Sequence, residues 1–492
     1  MPHPFQLTAG ATPSSTDGKA FLLAACGPKL LSLSMSDGSI VSQWTADSVG
    51  TAPVESTSNN GADAENGERP AKKQKTTAKP PPALTNVIKL TVANDQQHAV
   101  AVTEDKCVRV FSIQSDGSLV ELSQRTMPKR PCALEILPDN ETIICGDKFG
   151  DVYSLPLLPT DESEKNASDA KAAEEAQAAE AKAQAQTSEA NFKPSATNLT
   201  VHTKRNLRSL EAQQKQKLFT PKKEALAFEH KLLLGHVSML TDTKFAQREV
   251  DGKTRRYIIT ADRDEHIRIS RGAPQSHIIE GFCLGHKEFV SKICLIPGTD
   301  LLVSGGGDDW IGIWDWPNFA LKNTINIREL LAKYVVPTPE EKDPHISVSG
   351  IWTVPIENQP GNSAVIIACE KIPALVVLSS SSIGDPTAKS TVVERQLQER
   401  YPLDVAYIDH HAVLSLDARA GEQRRLIAFR PTLDSSSQVQ LERDETFEGT
   451  LAQLNDLAGI EEDPKTVDNL LYNIKNLKKR TGWGEPEEQQ QE

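Results

Sequence analysis

Two short stretches of the sequence have residue types that could perform chemistry, and neither forms a complete site. The run GGGDDW at 305–310 resembles a phosphate-binding loop, but it lies between two strand-like runs and lacks a following Gly-Lys-Ser/Thr. His410 and His411 could hold a metal, yet neighbouring residues on a strand point to opposite faces. No Gly-x-Ser-x-Gly or His-Glu-x-x-His motif occurs. We therefore expect no catalytic residue, no metal site and no cofactor on this chain.

The polar residues that do have a regular spacing are those of a structural network. Gly285-His286 is followed by an apolar run, a Pro-Gly turn and then Trp314-Asp315, the parts of one four-stranded blade. Buried polar groups need partners, so these residue types recur together. We predict such networks at two sets of positions: His286, Ser304, Asp308 and Trp314 in one repeat, and His236, Thr260 and Asp264 in the repeat before it.

Strand-like runs with turns rich in Asp, Asn and Gly recur along the whole chain. They lie at 21–44, 87–113, 131–157, 233–271, 284–316, 350–379 and 403–430. One such sheet cannot bury both of its faces alone. The pattern therefore predicts an all-β fold, a seven-bladed WD-repeat β-propeller over residues 1–440. We expect a strand at residues 4–8 to close the ring by completing the blade formed by the other end of the chain.

Two insertions interrupt the repeats. Residues 45–83 are too polar to form a core, and residues 160–228 are rich in Ala, Glu, Lys and Gln without an apolar stripe. Both are predicted to be disordered or partly helical. The first contains a basic cluster with Lys72, Lys73 and Lys75, which favours a nuclear import signal, and hence a nuclear location, over a solvated loop.

The tail, residues 441–492, is predicted to be helical. Asp463 and Pro464 suit the start of a helix and Gly482 its end. Apolar residues fall on one helical face, opposite several lysines. Two interpretations stay open: a helix docked on its own propeller, or a helix that binds a partner.

Composition limits the class of protein. The net charge of −13 and the pI of about 5.5 exclude a chain that binds nucleic acid with its whole surface, so any such role is local or shared with a partner. The seven cysteines form no Cys-x-x-Cys pair, which favours reduced thiols in an intracellular protein. Because no apolar run approaches the length of a membrane span, no membrane partner is expected.

Five motifs, taken in order, give a specific resemblance over about residues 85–430. They are DKFGDVYSLP (147–156), LLGHVSMLTD (233–242), TADRDEHIRIS (260–270), IEGFCLGHKEFVS (279–291) and SGGGDDWIGIWDW (304–316). Together they closely resemble the WD-repeat, non-catalytic subunit of the eukaryotic tRNA (guanine-N7-)-methyltransferase. The resemblance implies a scaffold in a heterodimer. Its catalytic partner would carry S-adenosylmethionine and methylate a guanosine of the tRNA variable loop, with tRNA engaged through the complex.

The run at 260–270 is the most specific of these motifs, and it ends without the usual Trp-Asp. The resemblance implies that this blade faces the catalytic subunit and that Arg268 pairs with an acid there. Strand alternation agrees, because it places Ile267 and Ile269 in the core and Arg268 outside. A local salt bridge of Arg268, and solvated lysines at 148 and 287, remain alternatives. The predicted partner-binding residues are Arg268, Asp262, Arg263, His266, Lys148 and Lys287.

A β-propeller does not by itself fix a function. A generic WD-repeat adaptor of ubiquitin ligation or chromatin assembly is the alternative, and an RNA-binding protein acting alone is a third possibility. The run at 260–270 favours the methyltransferase subunit, because a generic adaptor has no reason to contain it.

Overall fold

The computed structural model describes residues 3–14, 18–46, 85–159, 228–335, 344–387, 389–394, 397–418, 424–457 and 462–479. These residues form seven antiparallel sheets of four strands, each built from consecutive strands of the chain. The predicted seven-bladed β-propeller is confirmed. Residues 45–83 and 160–228, with Lys72, Lys73 and Lys75, lie almost entirely outside the described residues.

The strands are numbered β1–β28 in chain order, four to a blade. Blade one contains Leu7–Ala11, Phe21–Cys26, Lys29–Ser34 and Ile40–Thr45; blade two contains Val87–Val92, His98–Thr103, Cys107–Ile113 and Leu119–Thr126. Blade three contains Pro131–Ile136, Thr142–Asp147, Asp151–Pro156 and Lys231–Gly235; blade four contains Leu240–Val250, Lys253–Asp262, Ile267–Arg271 and Ile279–Cys283. Blade five contains Val290–Leu295, Leu301–Gly306, Trp310–Asp315 and Ala320–Asn326; blade six contains Val348–Pro355, Ser363–Cys369, Leu375–Ser379 and Thr391–Val393. Blade seven contains Tyr401–Ile408, His411–Asp417, Leu426–Leu433 and Val439–Arg443, so the last blade ends just past residue 440.

Burial along each blade explains the strand sequences. Some second strands are apolar at nearly every position because they lie between two neighbouring sheets; all residues of Phe21–Cys26 and Ser363–Cys369 are buried. Outer strands such as Leu119–Thr126 alternate between half-buried and exposed side chains over most of their length. The core is therefore a set of layers between blades, for example the cluster that joins blades six and seven around Ile366 and Leu414.

The ring closes without a strand from the N-terminus in the last blade. The prediction that residues 4–8 complete that blade is therefore wrong. β1 pairs with β2 in its own blade, and blade seven has four strands of its own. Side chains hold the two ends together instead. Thr8 donates its N–H to Asp404 Oδ2 over 2.7 Å, and buried Arg425 donates to the carbonyls of His3 and Leu454 over 3.1 and 2.6 Å. These contacts join the N-terminus to the last blade.

Of the tail, the structure describes residues 441–457 and 462–479, which are docked on the propeller and belong to the same compact unit. Its helices are Glu445–Glu448, Ala452–Asp456 and Pro464–Leu471, with 3-10 turns at Gly449–Leu451 and Ile474–Leu477. Helix Pro464–Leu471 starts where predicted, but it ends well before Gly482. Tertiary contacts of Tyr472 and of the amides that follow stop it there. A 3-10 turn at Trp316–Asn318 joins the third and fourth strands of blade five, and helix Ile327–Leu330 and the 3-10 turn Ala332–Tyr334 follow that blade. No helix in the described part of the chain is long and apolar enough to cross a membrane.

Candidate partner-binding site

Blade five contains the hydrogen-bond network that the sequence predicts. His286 Nδ1 lies 2.7 Å from Asp308 Oδ2, and its Nε2 lies 2.7 Å from Ser304 Oγ. Trp314 donates from Nε1 to the same hydroxyl over 2.7 Å. Trp310 stacks on the imidazole with ring centroids 4.4 Å apart. Because these groups are paired and buried, the network fixes the loop before β17 onto the turn between β18 and β19.

Blade four has the same network with a different aspartate. His236 Nε2 lies 2.8 Å from Thr260 Oγ1, as predicted, but its Nδ1 faces Asp262 Oδ2 at 3.5 Å. Asp262 is the last residue of β14 and is buried, so its carboxylate reaches the imidazole. Asp264 lies two residues further, in the turn, with a side chain 45% exposed. The assignment of Asp264 to the network and of Asp262 to partner contact is therefore wrong.

The protonation of Asp262 reflects its structural role. Burial acts to raise the pKa of its carboxyl, but hydrogen bonds from His236 and from the His266 backbone N–H outweigh burial, and the pKa is lowered. The carboxylate also accepts the N–H of Asp264 over 2.9 Å. The ionised side chain thus organises the whole turn at 262–266.

Arg268 does not point outward as predicted; its side chain is buried and only 8% exposed. Its Nε donates to the Ser270 hydroxyl over 3.0 Å, and its NH1 donates to the Gly235 carbonyl over 3.0 Å. Burial lowers the pKa of the guanidinium, although nearby Asp262 acts in the opposite direction. Arg268 therefore holds the loop that begins at Gly235, and a direct salt bridge with a partner does not fit this conformation.

Comparison with blade five explains why the motif lacks tryptophan. In the two ladders Arg268 pairs with Thr260 where Gly312 pairs with Ser304, and Ser270 stands where blade five has Trp314. A Cβ at Gly312 would lie 2.6 Å from the Trp314 indole nitrogen, so only glycine fits beneath the ring. Blade four has arginine at the position of this glycine and serine at the position of the tryptophan. Its long side chain, that of Arg268, therefore starts from the position that glycine occupies in blade five.

The turn of blade four is covered by residues 464–479, which we name the C-terminal strap. Arg263 donates from Nε to the Leu477 carbonyl over 2.7 Å. Lys479 Nζ lies 3.2 Å from Asp264 and 3.0 Å from Glu265. The strap therefore engages one of the predicted partner-binding residues, Arg263, inside this chain.

Further along the upper face, which carries the turns between second and third strands, the strap is anchored on blades six and seven. Glu370 accepts the N–H groups of Ile474 and Lys475 over 3.0 and 3.2 Å. Burial raises the pKa of Glu370, although these N–H groups act against that rise. Tyr472 donates its hydroxyl proton to Asp417 over 2.5 Å.

Next to the turn of blade four lies an exposed apolar surface, which we name the docking surface: Phe149, Val237, His266, Phe282 and Leu284. Phe149 is 64% exposed, Leu284 62%, and Val237 fully. The His266 ring lies 6.0 Å from the Phe282 ring. Backbone hydrogen bonds join the three loops that present Phe149, Val237 and His266: His236 N–H donates to Gly150 O and Arg263 N–H to Met239 O, both over 2.9 Å. The surface thus spans blades three and four and reaches the loop before blade five.

The predicted lysines flank this surface. Lys148 precedes Phe149 in the turn of blade three, and Lys287 follows Leu284 in the loop before β17; both are exposed. Phe149, Val237 and Leu284 were not among the residues predicted from the sequence. Each of the three is an apolar residue in a turn or loop, where burial within a strand cannot explain the residue type. This feature of the sequence could have identified them. Lys148, Lys287 and His266 remain predicted contact residues.

The chemistry of the site is that of binding. Among the described residues, no group of three His, Cys, Asp or Glu side chains could hold a metal ion. Burial raises the pKa of the Cys283 thiol to about 12, so it stays protonated near neutral pH. What the arrangement offers is a rigid apolar surface beside charged groups.

Comparison with known proteins gives the family. Residues 22–437 match the family described as the tRNA methyltransferase TRM82 WD40 domain. The chain is 38% identical to the tRNA (guanine-N(7)-)-methyltransferase non-catalytic subunit TRM82 of Phaeosphaeria nodorum, over 98% of this chain and 99% of that protein. It is 45% identical to the protein of that name from Coccidioides immitis over 62% of this chain and 58% of that one, and 36% identical to the Aspergillus oryzae protein over 95% of each. The chain belongs to the TRM82 WD40 family.

Proposed function

We propose that this chain is the non-catalytic subunit of a tRNA (guanine-N7-)-methyltransferase and that its docking surface binds the catalytic subunit. The observation that supports this best is the exposed apolar surface on blades three and four beside the most specific motif of the sequence. The names of the relatives point to the same role. S-adenosylmethionine is bound by the catalytic subunit in this proposal.

The docking surface has the features of an interface centre. Large apolar side chains that stay exposed on a folded domain mark interaction sites, and a few well-placed anchors carry most of the binding free energy. Val237 and Phe149 are the anchors in this proposal. Lys148 and Lys287 lie at the rim, where charges act mainly on the association rate.

Arg268 contributes indirectly. Its guanidinium holds the Gly235 carbonyl, two residues before Val237, while His236 is fixed by Thr260 and Asp262. The buried side chain of Arg268 thus positions Val237, the most exposed side chain of the docking surface. Arg268 is in this view a positioning residue for the docking surface.

The scaffold activates its partner by selective binding. A rigid surface that binds the active conformation of the catalytic subunit more tightly than the inactive one shifts the population toward activity. The proposal includes a nuclear location, for which the basic cluster at Lys72, Lys73 and Lys75 is the sequence support.

Co-expression with the catalytic subunit of the same organism tests the proposal. Methyl transfer to tRNA and heterodimer formation are measured for wild type, Val237→Asp and Phe149→Asp. Leu122→Asp is the control, because Leu122 is 43% exposed on β8 of blade two, away from the docking surface. We expect each docking variant to weaken the heterodimer about 30-fold, the effect of losing about 2 kcal/mol at an interface anchor.

The alternative outcomes are distinct. Activity of the catalytic subunit that does not depend on this chain would refute the function. Activity that requires the chain, with equal affinity for all three variants, would retain the function and refute the docking surface.

A further inference from the structure

The first hairpin of blade four extends beyond its own sheet. β13 and β14 have 11 and 10 residues, and β15 pairs with β14 only from Tyr257 onward. The turn Asp251-Gly252 has φ of 52° and 68°, as a tight two-residue hairpin requires. We name residues 247–256 the ribbon. Lys253, Arg255 and Arg256 are all exposed on it.

Like charges face each other across the ribbon. Arg248 pairs directly with Arg255 in the ladder, and Lys253 lies two residues from Arg255 on the same side. Directly opposed like charges destabilise an antiparallel pair. The acids beside them are exposed: Arg248 lies 3.1 Å from Asp300 and Arg255 3.6 Å from Asp251. Residues 247–256 contain four basic residues and two acids, Glu249 and Asp251, so the ribbon carries a net charge of +2.

An open cleft beside the ribbon adds to this positive charge. Its volume is about 540 Å³, and its lining includes Arg255, Arg256, Arg271 and Gln275. Glu280 is the acid in the lining, and it is bound to Arg271. The cleft and one side of the ribbon therefore present guanidinium groups to the same solvent region, in a chain whose net charge is −13.

We infer that the ribbon and its cleft bind the phosphate backbone of tRNA in the heterodimer. Guanidinium groups match phosphate geometry, and backbone contacts of this kind position a nucleic acid without reading its sequence. The inference rests on the proposed function. Asp262 lies six positions after Arg256 on β14, about 20 Å of strand or roughly six base pairs of duplex. One blade thus presents the partner surface at one end and the RNA contact at the other.

The test uses the heterodimer and full-length tRNA. Lys253→Glu with Arg255→Glu alters the ribbon, and Lys322→Glu with Lys389→Glu is the control, since both control lysines are exposed and the net charge changes equally. The dissociation constant for tRNA is measured by fluorescence anisotropy at several salt concentrations, and heterodimer formation is measured separately. We expect the ribbon variant to bind tRNA at least tenfold more weakly, with a salt slope smaller by about two.

Two results would overturn the inference: tRNA binding of the ribbon variant equal to wild type, or an equal loss in ribbon and control variants. Either result leaves the proposed function intact if the heterodimer still forms and methylates tRNA. Failure of the wild-type chains to associate would refute the proposed function itself.

Discussion

Arg268 donates a hydrogen bond from Nε to the Ser270 hydroxyl, 3.0 Å away, in the strand where blade five has Gly312 and Trp314. Blades four and five fill the space at these two strand positions with side chains of opposite size. Blade five places a large side chain over a glycine, whereas blade four folds a long cation over a serine. The guanidinium also caps the Gly235 carbonyl, so this exchange links the blade core to the loop that carries Val237.

Arg268→Ala is expected to destabilise the propeller. The variant leaves the Gly235 carbonyl and the Ser270 hydroxyl without their donor and opens a cavity. Losing a buried hydrogen bond to a charged group costs about 1.5–3 kcal/mol. Urea denaturation of the isolated chain measures this loss, which appears without any catalytic subunit present.

A double variant, Arg268→Gly with Ser270→Trp, is the matched control because it installs the pair of blade five. We expect it to be more stable than Arg268→Ala, since the indole fills the vacated space and can donate to Thr260 as Trp314 donates to Ser304. Unchanged stability of Arg268→Ala, combined with loss of heterodimer, would instead support direct contact with the partner.

Much of the fold was predictable from turns and periodicity, but the conformation of particular residues was not. The network of His286, Ser304 and Asp308 follows from residue types that need one another when buried. Strand alternation gave a wrong prediction for the side chain of Arg268. Alternation cannot show whether a side chain points to solvent or fills the space that a tryptophan occupies in blade five. Aligning blades four and five by residue spacing gave a wrong prediction for Asp264. Strand β14 of blade four ends at another aspartate, Asp262, and that residue bonds the histidine. The strap depended on contacts with Glu370 and Asp417, distant in sequence, that no local pattern reveals.

Asp262→Asn and Asp264→Asn form a matched pair that tests the reassignment. Asp262→Asn is expected to destabilise the propeller by about 1–3 kcal/mol at neutral pH, because a buried acceptor of several hydrogen bonds becomes partly a donor. Asp264→Asn is expected to change the unfolding free energy by less than about 1 kcal/mol, as for an exposed ion pair.

The pH dependence has a defined sign. The pKa of Asp262 is lower in the folded protein than the unfolded value of 3.8. Its stabilisation is therefore complete above that value and is lost as the pH falls through the folded pKa. Denaturation curves measured down to acid pH should show this loss in wild type and Asp264→Asn but not in Asp262→Asn. A reversed order of the two variants would contradict the assignment.

The strap is expected to be held firmly at Glu370 and weakly at its end. The ion pairs of Lys479 are exposed and contribute little, whereas the Glu370 carboxylate is buried and accepts two backbone N–H groups. Hydrogen exchange should show protected amides at Ile474 and Lys475 in wild type and in Lys479→Glu. Glu370→Ala should expose both amides. Equal protection in Glu370→Ala would show that other contacts hold the strap.

Ring closure is expected to depend on pH through Asp404, which accepts the N–H of Thr8 and the indole N–H of Trp352 over 2.7 and 3.0 Å. Burial raises the pKa of this carboxyl to about 6, although the hydrogen bonds oppose the rise. Because the folded pKa exceeds the unfolded value of 3.8, the stability of wild type falls as the pH rises from about 4 to 6. Asp404→Asn cannot titrate, so its unfolding free energy relative to wild type should increase over that range. Asp434→Asn provides a control of opposite sign, since a hydrogen bond from the Ser436 side chain lowers the pKa of Asp434. Parallel stability curves for wild type and Asp404→Asn between pH 4 and 7 would contradict the role of Asp404.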